Sequence, residues 1–318
     1  MKLLKESARI SLKLLKIMLP ISILVKVGSN YGIIDILSKT LSPLMKIMGL
    51  SGEMGIVWAT AMVTNIYGGI LVLFTMAQNN TFTVAEITIV ASIILFAHSL
   101  PVELKVISET GAKPWKILSI RVLCAVISGV CLNLLFKIFN IYQETAVFRF
   151  TIKESNSGII SWVLGELKKY ITIFVIIFIL LALMEGLKKI GVIDWINDKF
   201  SPVMSFLGID PGLSLTCIVG LTMGISYGSG LIIKETREGN YGRRDLFLVA
   251  IFMSLCHALI EDTLLMIPLG AKMIGIFWGR IFFAVIFTLV FNRIMPKDEI
   301  KKVGVEEDKS IGIIKIEK

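Results

Sequence analysis

Phe96-Ala97-His98-Ser99-Leu100-Pro101-Val102-Glu103 returns 159 residues later as Leu255-Cys256-His257-Ala258-Leu259-Ile260-Glu261-Asp262. The two histidines of this phrase are the only ones in the 318-residue chain, and each stands in an apolar run. Pro101 removes a backbone donor, so a helix carrying the first copy is expected to break or kink between His98 and Glu103. A phrase repeated in this way predicts a duplicated membrane unit whose two copies meet at it.

Composition agrees with the membrane reading. Hydrophobic residues make up 55% of the chain and charged ones 18%, with a mean hydropathy of +0.81, which is too apolar for one soluble core. The formal charge of +9 lies in short patches between apolar runs, as membrane orientation places it, so nucleic acid is excluded as a partner. Cys124, Cys131, Cys217 and Cys256 all stand in apolar segments without CxxC spacing, and neither a disulfide nor a structural zinc is expected. The basic, amphipathic N-terminus is read as retained rather than cleaved.

Working outward from the phrase, residues 11–27 are expected to form a first crossing if Lys13 and Lys16 near its start snorkel to an interface. Residues 32–49 mix apolar residues with Asp35, Lys39 and Lys46 around a Ser42-Pro43 break, which predicts helices at the membrane surface. Residues 53–77 are apolar but interrupted by Asn65-Ile66-Tyr67-Gly68-Gly69, a step that inside a bilayer must be sheltered by protein or line a cavity. Further crossings follow over 83–100 and 115–139.

The second half repeats this order at the same offset. Gly32, Asp35, Ser42-Pro43 and Gly49 match Gly191, Asp194, Ser201-Pro202 and Gly208; Arg121 matches Arg280, and Asn133 matches Asn292. One residue of slippage sets Ile66-Tyr67-Gly68 on Ser226-Tyr227-Gly228. The predicted organisation is a first repeat over 1–140, a linker over 141–158, a second repeat over 159–296 and a charged cytoplasmic tail over 297–318. If the breaks at Asn65 and Ser226 are tips of re-entrant hairpins, each repeat has three crossings, and an odd number inverts the second. With the N-terminus inside, the basic groups around Lys105, Lys188, Arg243 and Lys301 then all fall inside, as the positive-inside rule asks. The expected fold is therefore an all-α membrane protein of two inverted-topology repeats, each with three crossings, interfacial helices and a re-entrant helical hairpin. Both termini are expected to be cytoplasmic, in a multi-pass bacterial inner-membrane protein.

Inverted repeats with broken helices bind solute near the bilayer midplane, between the ends of half-helices. The candidate substrate-binding residues are accordingly Asn65, Tyr67, His98, Ser99 and Glu103 in the first half. In the second they are Ser226, Tyr227, Ser229, His257, Glu261 and Asp262, with Thr222 beside them. Two readings of each stay open. A histidine beside a break can donate to a freed carbonyl instead of touching solute, and the three carboxylates can reach water or pair with Arg121 and Arg280. The spacing matches no known metal-ligand motif, and no metal or cofactor is assigned.

The segments GLSGEMGIVWATAMVTNIYGGI, HSLPVELKVISETGAK and HALIEDTLLMIPLGAKMIGIFWGR resemble the bacterial nucleoside recognition, or Gate domain, membrane proteins over about residues 11–296. That family is held to be related to the core of concentrative nucleoside transporters and to the membrane part of ferrous-iron transport protein B. The resemblance implies two inverted repeats, with hairpin tips at Asn65 and Ser226 and unwound stretches from His98 to Glu103 and from His257 to Asp262. Where nucleoside transporters carry Gln-Thr-Glu at the first tip, Asn65-Ile66-Tyr67 stands here, and no GxxxxGK[ST] loop of a GTPase occurs. The expected function is a transporter or facilitator of a small polar solute, a nucleoside-like one being a candidate, working by alternating access. Its partners would be the lipid bilayer, the solute, a coupling ion (H+ or Na+) and, as an open question, a second copy of the chain. Divalent metal-ion transport and a non-transporting scaffold in sporulation or envelope assembly are the alternatives. An enzyme is not expected, since no nucleophile and base stand at a recognisable spacing.

Overall fold

The computed structural model describes residues 33–77, 80–108, 112–147, 202–225 and 241–295, with single positions between. The crossing expected over 11–27, most of the linker, the Ser226-Tyr227 break and the charged tail lie outside the described residues. Within the described residues every regular element is helical.

Helix α1 (Ile33–Ile47) packs on α2 (Gly52–Val63), which is followed by α3 (Ile66–Met76). No break occurs at Ser42-Pro43, contrary to the sequence reading. Pro43 sits inside α1 on its exposed face, where the Lys39 carbonyl that loses its bond can be served by solvent. The turn after α1 does need a glycine. Gly49 has φ +72°, and the Leu50 amide returns to the Met45 carbonyl at 2.9 Å, closing the helix with a left-handed residue. The same closure recurs at Gly208, φ +73°, where Ile209 donates to the Met204 carbonyl at 3.0 Å.

Helix α4 (Val84–Phe96) begins with a capping box. The Thr83 amide donates to Glu86 Oε2 at 2.8 Å, and Thr83 Oγ1 accepts from the Glu86 amide at 3.1 Å. Across a short break stands α5 (Leu100–Ser108), and then α6 (Pro114–Ile138), whose first residue is a proline that needs no donor there. In the second half, α7 (Ser214–Met223) stops at Gly224, φ +91°. Helix α8 (Arg243–Cys256) breaks into α9 (Leu259–Met266), and a π-helical turn, Ile274–Gly279, leads into α10 (Arg280–Ile294).

Among the described residues, four stretches are long and apolar enough to cross a membrane: Val84–Ser108, Pro114–Ile138, Arg243–Leu269 and Ile274–Ile294. The first and third, which contain the breaks, are 78% and 83% buried over their most apolar windows; the other two are only 50% and 39% buried. The broken spans therefore form the centre and the unbroken ones the outside. Leu123, Ile127 and Leu134 of α6, like Phe282, Ile286 and Val290 of α10, leave an apolar face uncovered. Such faces suit lipid tails.

Candidate functional site

Each central span is interrupted at its histidine. Helix α4 ends at Phe96 and α5 starts at Leu100; α8 ends at Cys256 and α9 starts at Leu259. Ser99 (φ +49°) and Ala258 (φ +45°) take the left-handed conformation, which costs a non-glycine residue on the order of 1–3 kcal/mol. Each is tied down by its own amide. Ser99 donates to the Ala61 carbonyl of α2 at 2.9 Å, and Ala258 to the Gly220 carbonyl of α7 at 3.1 Å.

A helix end leaves carbonyls without partners, and inside an apolar protein these must be met. Two fully buried arginines meet them. Arg121 on α6 donates from Nε to the Phe96 carbonyl (2.8 Å), from Nη2 to the His98 carbonyl (3.2 Å) and from Nη1 to Glu103 Oε2. Arg280 on α10 donates from Nε to the Leu255 carbonyl (3.1 Å), from Nη2 to the His257 carbonyl (2.7 Å) and from Nη1 to Asp262 Oδ2 (3.0 Å). The guanidinium cation also suits the negative end of a helix dipole. Glu103 and Asp262 lie on α5 and α9, inside helices, and not in unwound chain as the family resemblance implied; only three residues at the first break and two at the second depart from helix.

Both histidines make the bond that mends a break. His98 Nδ1 lies 2.9 Å from the Ile94 carbonyl and His257 Nδ1 lies 3.1 Å from the Met253 carbonyl. A carbonyl only accepts, so Nδ1 carries a proton in each ring, and in the neutral imidazole Nε2 then keeps the lone pair. Those two Nε2 atoms point at one another, 3.4 Å apart, with ring centroids separated by 5.2 Å. Glu103 Oε1 stands 3.3 Å from the first and 3.4 Å from the second.

The breaks open onto a cavity of about 250 Å³. Of the residues expected from the sequence, it is lined by Tyr67, His98, Glu103, His257, Glu261 and Asp262. Asn65 and Ser99 are not in its wall. The Asn65 side chain caps α3 by accepting from the Gly68 amide at 2.9 Å, and Thr222 Oγ1 donates to the Ile218 carbonyl at 2.8 Å. Ser226, Tyr227 and Ser229 lie outside the described residues. The remaining wall, Ile66, Gly224, Ile225, Ala258 and Leu265, is apolar or backbone and was not singled out from the sequence. Arg280 chooses Asp262 over its neighbour Glu261, and the sequence does carry the signal: at an offset of 159, Asp262 falls on Glu103. A larger open depression of about 440 Å³ beside Pro43 is lined by Ser38, Lys39, Ser42 and Lys46 of α1, away from both breaks.

A family model described as Gate, nucleoside recognition, matches residues 11–113 and 170–277, most of the chain. The chain is also 30% identical over 299 residues to a Bacillus subtilis (strain 168) protein named "Uncharacterized membrane protein YvoD", covering 92% of this chain and 93% of that one. No solved structure matches the chain. With apolar spans broken at both histidines and a family match on either side of residue 140, the chain belongs to the Gate, nucleoside recognition, family of membrane proteins.

Proposed function

We propose that the protein moves a small polar solute across the bacterial inner membrane by alternating access, with the cavity between the two breaks as the solute site. The observation that carries this reading is the cavity itself. Residues from both halves line it, and apart from Tyr67 its ionisable side chains come from the broken regions of two spans that are otherwise buried and apolar. Ionisable residues at such depth are costly and are kept where they serve a pathway. The fold proposed around it is two inverted repeats, 1–140 and 159–296, with re-entrant hairpins whose tips are Asn65 and Ser226. Both termini and the 297–318 tail are on the cytoplasmic side.

The solute proposed is nucleoside-like: a flat apolar body with several hydroxyl and ring acceptors. Tyr67, Ile225 and Leu265 offer it apolar surface, and Glu261 and Asp262 offer acceptors for hydroxyls. Movement of α3 past the two histidines would open the cavity to either side in turn.

The test is a thermal-shift screen of the purified chain against nucleosides, nucleobases, amino acids and sugars, followed by uptake into reconstituted vesicles of whatever stabilises it. A stabilising solute is expected to be taken up, and the doubly substituted His98→Ala, His257→Ala chain is expected to lose at least about tenfold of that uptake. Unchanged uptake by the double variant would remove the histidines from the solute site. A panel with no stabilising solute would favour a non-transporting scaffold.

A further inference from the structure

We propose that His98 Nε2, His257 Nε2 and Glu103 Oε1 form a three-donor site for a divalent first-row transition metal ion, zinc fitting best, with its fourth position open to the cavity. Three facts meet here. Both Nδ1 atoms are committed as donors to main-chain carbonyls, so in the neutral rings both Nε2 atoms present lone pairs, and the Glu103 carboxylate adds a third acceptor. Three acceptors facing one another repel unless something positive lies among them. All three side chains are more than nine-tenths buried, so bulk water does not dilute that repulsion.

Distance separates a proton from a metal ion as the missing charge. A hydrogen bond between such groups would draw two of them to about 2.7–3.0 Å. The three edges of this triangle are instead 3.4, 3.3 and 3.4 Å, nearly equal. A tetrahedral ion with bonds of about 2.0–2.1 Å holds neighbouring donors about 3.3–3.4 Å apart, so the triangle has the size of one tetrahedral face. Two imidazoles and a carboxylate are donors that zinc accepts, and three protein ligands with one open position make a reactive rather than a closed site.

The groups behind the ligands are also in place. Each imidazole is oriented by its Nδ1–H bond to a carbonyl, and the other oxygen of Glu103 is held by Arg121. Charge permits a cation. Glu103, Glu261 and Asp262 bring three carboxylates to the cavity wall, against the two guanidiniums of Arg121 and Arg280 behind it. Cys256 is next to His257 in sequence, but its sulfur is not among the converging donors. An ion here could take a hydroxyl or ring nitrogen of the solute as its fourth ligand, which would join recognition of solute to the two histidine breaks.

The experiment uses the full chain, purified in detergent and stripped with chelator. It is dialysed against Zn2+ and its metal content counted, and in parallel it is titrated with Co2+ and followed by visible absorbance. One Zn2+ per chain and the intense absorbance of four-coordinate Co2+ are expected. His98→Gln and His257→Gln should each weaken Zn2+ at least about tenfold, and Cys256→Ser should leave it unchanged. The Co2+ spectrum needs no substitution, so it stands even if a histidine variant fails to fold. Retention well below one Zn2+ per chain, a six-coordinate Co2+ spectrum, or binding that survives both histidine changes would each overturn the proposal. Metal binding and transport fail separately: Zn2+ held by a chain that carries no solute sinks the transport reading alone, and uptake without metal retention sinks this one.

Discussion

The Arg121 cluster and the Arg280 cluster are built alike and differ by one methylene group. In each, a buried guanidinium spans a broken helix, bonding one carbonyl before the break, the histidine carbonyl within it and one carboxylate after it. Glu103 is longer than Asp262 by about 1.5 Å of chain. That length lets Glu103 turn its second oxygen to both histidines, while among the described residues Asp262 pairs with Arg280 alone. The repeated part mends the backbone, and the unrepeated methylene decides which carboxylate reaches the histidines. A second difference reinforces the first. The turn Ile274–Gly279 is π-helical, whereas its counterpart at the start of α6 is α-helical. Gly275 there lies so close to α4 that a Cβ would stand 2.7 Å from Thr88 Cγ2, and Thr88 Oγ1 accepts from the Lys272 amide at 3.0 Å. At the matching positions of the other half the contact is of a different kind: the Lys116 ammonium lies over the Phe247 ring, 6.0 Å from its centroid, where Gly275 packs directly on Thr88.

The largest effect should come from removing the arginines. Arg121→Ala and Arg280→Ala each strand a buried carboxylate and two carbonyls, a loss of about 3–5 kcal/mol. Arg280→Ala is expected to be the worse, because Glu103 keeps two histidine neighbours and Asp262 keeps none among the described residues. Thermal melting of the two variants in one detergent checks the order, and the reverse order would break the comparison.

Next come the glycines that close α1 and the matching 202–207 helix. A Cβ on Gly49 would stand 2.0 Å from Asn133 Oδ1, and one on Gly208 would stand 2.1 Å from Asn292 Nδ2. Both glycines have positive φ. Gly49→Ala and Gly208→Ala should therefore cost the same, about 2–3 kcal/mol each, by loss of melting temperature. Unequal losses would mean that the likeness of the halves is not energetic.

The smallest change in stability is expected from Glu103→Asp, within about 1 kcal/mol, since an aspartate already serves an arginine in this way at position 262. Its functional effect should be out of proportion. Withdrawing the carboxylate from the histidines is expected to lower Zn2+ affinity at least about tenfold while melting stays near the parent value. An affinity equal to the parent's would show that the methylene carries no ligand role.

Much of this was legible in the chain. The constant offset pairs His98 with His257, Arg121 with Arg280, Gly49 with Gly208 and Asn133 with Asn292, and each pair makes matching contacts. Apolar runs and breaks are local properties, so they can be read from a short window. The misplaced break at Ser42-Pro43 shows the limit of that window: a proline on an exposed helix face costs a bond that solvent can replace, and packing of α1 on α2 holds the helix together.

Sequence alone thus determined the membrane class, the breaks at the two histidines and the pairing of the two histidine phrases, because hydropathy, helix-breaking and repetition are written residue by residue. Only the tertiary structure decided that the two Nε2 atoms converge, that Glu103 and not its counterpart Asp262 joins them, and that Asn65 and Ser99 are spent on backbone. Those outcomes depend on distances of a few ångströms between residues up to 159 positions apart, and on the length of a single side chain. No local pattern encodes them.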